Sequence, residues 1–152
     1  MILVLAGALF VAGLTGLLFS VWPTSWPDQP LQITASELAV LRHLREEPKF
    51  YANQRLFYPG APNEAMRVSC EVLVNHLLSD LIDNLPAEPR KARVLSAFKA
   101  TLSVAERLDS EDQDRIASYL EETLGILNIK SSNELINVWR YGFPYGWFVS
   151  SR

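Results

Sequence analysis

"EAMRVSCEVLVNHLLSDLIDNL", Glu64 to Leu85, decides the fold. At 100° per residue, Met66, Cys70, Leu73, Val74, Leu77 and Leu81 fall on one broad face, and no period-two alternation competes with it. Asn63 is a residue type that caps helix starts, and Pro86 is one that helices do not run through. The spacing predicts one long amphipathic helix over about 64–85. Cys70, the single cysteine, lies within its apolar face and reads as a small buried hydrophobe.

The same period recurs on both sides. Upstream, "TASELAVLRHLREEP" joins a Thr34/Glu37 capping box to a Leu38, Leu41, Leu44 stripe and stops at Pro48. Downstream, Pro86 and Pro89 frame a turn into a third helix aligning Val94, Leu95, Phe98, Leu102 and Ala105. Ser110 with Gln113 suggests a second capping box, opening a fourth helix with Ile116, Leu120, Leu124 and Leu127 inward and Gly125 loosening its end. Ser131 with Glu134 suggests a short fifth helix through Leu135, Ile136 and Trp139, ended by Gly142. No internal repeat is present. The reading is all-α, a four- to five-helix bundle over residues 34–152 with an aromatic-rich C-terminal tail.

Residues 1–27 differ in kind. They carry no charged side chain, so the formal net charge of −3 belongs wholly to residues 28–152. That mild acidic excess gives no reason to expect nucleic acid, which demands a basic face. Ile2 to Trp22 would reach about 30 Å as a helix, the thickness of a bilayer's hydrocarbon core, with Trp22 and Trp26 at interfacial level. A cleaved signal peptide wants a cationic start, a shorter apolar run and a small-x-small site, none of which is evident. Residues 1–22 are therefore read as an uncleaved transmembrane anchor. The first downstream cation is Arg42, which favours the amino terminus inside and the domain outside, periplasmic in a bacterial inner membrane. Ala8, Ala12, Gly16 and Ser20 form a small-residue stripe suited to self-association. Prolines at 23, 27 and 30 make residues 23–33 an extended linker.

"GILNIKSSNELINVWRYGF", Gly125 to Phe143, resembles the closing pattern of a small bacterial helical family catalogued as a domain of unknown function. The Ser131-Ser132 step and the Trp139 to Phe143 run carry the resemblance, which covers about residues 64–143. It implies an all-helical domain and no activity, and the apolar N-terminal segment lies outside it.

Catalytic chemistry has no linear signature here. His76, Asp80 and Asp83 flank the long helix's apolar stripe, but no third metal ligand is present at recognisable spacing. "DSEDQD", Asp109 to Asp114, lacks the glycine and terminal glutamate of a calcium loop and suits a helix's first turn. No phosphate loop or nucleophile elbow is present, and no cofactor or metal is expected. An envelope enzyme using Glu71, His76 and Asp80 is the alternative reading. A cell-wall glycan-binding module or assembly adaptor is a further one.

Two features point to a partner. "PRKAR" places Arg90, Lys91 and Arg93 on a helix's first turn, where the dipole disfavours cations unless an anion or partner is held there. Six of the chain's sixteen aromatics crowd into residues 139–148, and four more into 50–58. Trp139 and Phe143 are expected to close the core. Arg140, Tyr141, Tyr145, Trp147 and Phe148, with Tyr51 and Tyr58, are expected to form a partner-binding rim, since Tyr, Trp and Arg anchor interfaces. The functional expectation is a membrane-tethered protein-binding module, most concretely an inhibitor of the immunity type acting on an envelope enzyme or toxin.

Overall fold

The structure, a computed structural model, describes residues 17–142. Five α-helices come after residue 34: α1 (Ala35–Glu46), α2 (Glu64–Asn84), α3 (Lys91–Ala105), α4 (Ser110–Ile126) and α5 (Leu135–Tyr141). A single 3-10 turn, Gln54–Leu56, interrupts the α1–α2 connection, and no strand forms among the described residues. α2 packs on α1, α3 and α4, and α5 rests on α3.

The periodic faces become the core. Cys70, Val74, Leu77 and Leu81 of α2 are buried, with Leu78 and Ile82 widening the stripe, while Met66 and Leu73 pack half-buried at its edge. All five expected residues of α3 and all four of the fourth helix's face are buried as well. The Thr34/Glu37 capping box forms in full, and Asn63 Oδ1 accepts the Met66 amide at 2.9 Å to cap α2. Lys49 is a buried lysine whose ammonium donates to the Arg45 and Glu47 carbonyls, satisfying the C-terminal end of α1.

Two expected helix starts, the Ser110/Gln113 capping box and the Ser131/Glu134 pair, form differently. Asp109 is the N-cap of α4, and Gln113 reaches back instead to the Leu108 carbonyl at 2.9 Å. Glu134 is the N-cap of α5 in the left-handed region (φ 62°), with Ser131 Oγ accepting the Asn133 amide. In both places tertiary placement of the preceding turn overrides the local motif.

The larger correction concerns residues 23–33. Rather than a free spacer, they lie along the start of α3. The Leu31 amide donates to Pro89 O at 2.7 Å and the Lys91 amide to Gln29 O at 3.0 Å. Asp28 Oδ1 accepts the Ala92 amide at 2.9 Å, and its other oxygen takes Arg90 Nε at 2.6 Å. Asp28 is thus the anion at the α3 N-terminus, and it accounts for Arg90 tolerating that first turn.

The Ala92 amide, then Arg90, hold the Asp28 carboxyl below its ordinary range. Its stabilisation is complete above the unfolded carboxylate value of about 4 and is lost as pH falls through the lowered folded value. Asp28→Asn is accordingly expected to lower the urea midpoint at pH 7, with the gap from wild type closing in acid. A gap of equal size at pH 7 and pH 3 would contradict this role.

The predicted transmembrane segment lies mostly outside the described residues. Residues 17–21 are helical, and among the described residues no helix is long and apolar enough to cross a membrane. Ala8, Ala12 and Gly16 also lie outside the described residues, while Ser20 is exposed.

Candidate functional site

A cleft of about 670 Å³ opens between the first half of α4, the end of α5 and the turn at 56–58. The 3-10 turn ends on Phe57, which adopts φ 52°, a left-handed conformation that costs a non-glycine residue roughly 1 kcal/mol. The Phe57 ring is 96% exposed, whereas Tyr58 and Phe50, the latter also left-handed at φ 63°, are buried. Phe50 packs on Tyr119 at 5.5 Å between ring centroids and meets Tyr58 edge-on at 6.3 Å, so the turn stands on a buried aromatic base.

The opposite wall comes from α5. Trp139 packs half-buried against the core and also lines the cleft. Arg140 places Nε 3.0 Å from Asp114 Oδ1, although not aligned for a hydrogen bond, and Nη1 3.7 Å from Glu121. Tyr141 is exposed, with the Arg140 guanidinium 5.9 Å from its ring. Along the floor, Arg115 stacks 4.1 Å above the Tyr119 ring and donates to its hydroxyl at 2.9 Å. The cleft therefore offers an apolar rim of Leu56, Phe57 and Tyr141 around fixed charges of both signs.

Beneath the cleft, the Tyr58 hydroxyl donates to Asp112 Oδ1. Burial first, then the Asp112 bond and charge, raise the Tyr58 pKa above its ordinary value. Asp112 is itself 1% exposed, and its Oδ2 has no hydrogen-bond partner. Burial and the same carboxylate push the Cys70 thiol up to about 11, so the single cysteine is a poor nucleophile at neutral pH.

The expected site residues divide accordingly. Arg140, Tyr141 and Tyr58 come together at the cleft, Tyr58 as its buried support rather than its rim. Tyr51 does not join them: its exposed ring lies 4.6 Å from the Arg67 guanidinium on another side. Tyr145, Trp147 and Phe148, and Phe143 with them, lie outside the described residues. The "PRKAR" cations are all engaged within the chain: Arg90 by Asp28, Lys91 by Asn133 Oδ1 at 2.5 Å and Arg93 by Asp80 at 2.5 Å.

Glu71, His76 and Asp80 are not gathered into one site. Glu71 and Asp80 are nine positions apart on a single helix, which puts them on opposite sides. Glu71 pairs with Arg67, and Asp80 is held by Arg93 and Asn84. Among the described residues, no three His, Cys, Asp or Glu side chains converge as a metal site.

Phe57, Asp114 and Arg115 are cleft residues that sequence reasoning does not find. "DSEDQD" signals a helix start, but which tertiary neighbour its carboxylates meet has no linear pattern.

No curated protein and no solved structure matches this chain. A family model described as a domain of unknown function, DUF4844, matches residues 30–144, which include all five helices and the cleft and exclude the apolar N-terminal segment. The chain belongs to the DUF4844 family.

Proposed function

We propose that this protein is a membrane-tethered helical binding module whose cleft receives another protein, most concretely as an inhibitor of the immunity type that occludes an envelope enzyme or toxin. The observation that carries this reading is Phe57, nearly fully exposed on a left-handed backbone at the mouth of a cleft shared with Arg140 and Tyr141. A nearly fully exposed aromatic beside an Arg and a Tyr favours a role in contact, because its apolar surface gains nothing from the protein's own core. The tether rests on the charge-free run of residues 2–22, and the periplasmic orientation on the distribution of Lys and Arg.

The test is protection. Cells expressing the full chain are challenged with envelope-targeted toxins, and the same cells are examined for a co-purifying enzyme. Rescue that Phe57→Ala/Tyr141→Ala abolishes supports the inhibitor. Absence of both rescue and a co-purifying enzyme rejects it.

A further inference from the structure

The end of the apolar N-terminal segment is built into the domain. Phe19 is 4% exposed and belongs to the same buried cluster as the bundle core. The Trp22 indole donates to Asn133 O at 3.0 Å, just before α5. From α3, the Lys99 ammonium donates to Ser20 O at 2.8 Å and Trp22 O at 2.7 Å, and lies 5.9 Å from the Phe19 ring. A lysine donating to the last carbonyls of a helical turn satisfies groups that would otherwise need water. Thr24 and Ser96 hydroxyls meet at 3.0 Å, extending the seam.

While Phe19 and Trp22 point inward, their neighbours do not. Leu17, Val21 and Trp26 are 61%, 66% and 77% exposed, three large apolar side chains within ten residues. They continue directly from residues 1–16, which contain no charged side chain. With Phe19 and Trp22 held by the domain, the residues left to cross a bilayer are about 2–18. As a helix these would reach roughly 26 Å, near the lower limit for a span.

We propose that Leu17, Val21 and Trp26 contact the lipid bilayer itself, so that the domain is clamped against the membrane by Phe19, Trp22 and Lys99 instead of hanging from a linker. This rests on the tether reading and sharpens it: the bilayer boundary falls within residues 17–26. Trp22 is then a clamp residue and Trp26 the interfacial aromatic.

The test labels Leu17→Cys, Val21→Cys, Trp26→Cys and, as a control on α2, the exposed Val72→Cys with an environment-sensitive fluorophore. Cys70 is buried and stays unlabelled. The full chain is reconstituted into phosphatidylcholine–phosphatidylglycerol vesicles carrying a spin-label quencher at the shallow acyl level. The expected result is flotation with the vesicles, with quenching at positions 17, 21 and 26 and none at 72. Lys99→Ala, with its helical circular dichroism intact, is expected to lose quenching at 26 while keeping it at 17.

Flotation with positions 21 and 26 as unquenched as 72 overturns the clamp and leaves the tether standing. Failure to float overturns the tether and the clamp together. Label-to-label proximity between chains at 21 and 26, without lipid quenching, assigns the face to a second copy and also overturns the proposal.

Discussion

Phe98→Ala is expected to lower the unfolding free energy by about 3–5 kcal/mol, the range for emptying a fully buried aromatic site. Phe98 is wholly buried on α3, the helix that packs against α2, α4 and α5. Removal of the ring therefore opens a void where elements meet, and close-packed side chains relax only partly into it. Against a typical domain stability of about 5–15 kcal/mol, that loss is a large fraction. Calorimetry is expected to register a fall in Tm on the order of 10 °C. Phe98→Leu, which keeps most of the volume, is expected to retain most of the stability. A Phe98→Ala loss below about 1 kcal/mol would place the ring outside a packed core.

Tyr58→Phe is expected to cost about 1–3 kcal/mol, more than one ordinary hydrogen bond. The hydroxyl is a donor to Asp112 Oδ1, and Oδ2 already lacks one. Deleting it leaves the buried Asp112 side chain with only the Cys70 thiol as a neighbouring donor, and an under-satisfied buried group carries a desolvation penalty. Tyr58→Phe/Asp112→Asn is expected to recover part of the loss, because the stranded charge is gone.

The pH dependence has a definite sign. Folding raises the Tyr58 pKa, so its contribution is complete below the unfolded phenol value of about 10 and declines as pH rises above it. Wild-type stability is thus expected to fall in alkali by more than that of Tyr58→Phe. Equal alkaline slopes would contradict the pairing.

How far the sequence discloses this protein depends on the range of the interaction. The helical faces are local in period, and α2, α3 and α4 bury the residues their spacing indicates. Thr34 and Glu37 cap α1 because both partners lie within one turn. Ser110 and Gln113 share that spacing, yet Gln113 satisfies the carbonyl of Leu108 in the turn before α4. The misfit of "PRKAR" with the helix dipole is legible, whereas its resolution by Asp28, more than sixty residues upstream, is not. Residues 23–33 carry the composition of a spacer, and what docks them is a set of backbone and carboxylate contacts that composition does not encode.

The cleft shows the same division. Arg140 and Tyr141 are legible as interface residue types at the end of the last helix. Tyr51, Phe57 and Tyr58 sit within eight positions of one another, and composition alone ranks them equally. The structure separates them by tertiary placement: Phe57 is left exposed at the cleft, Tyr51 lies by Arg67, and Tyr58 is buried on Phe50.

The most direct measurement of the binding role is affinity capture from detergent-solubilised native membranes, using the full-length protein and Phe57→Ala/Tyr141→Ala with matched circular dichroism. A protein held by the wild type and weakened at least about tenfold by the variant is the expected result, the size of a modest interface anchor. The same protein held equally by both would remove the cleft from the interface. No protein held by either would contradict the binding module itself.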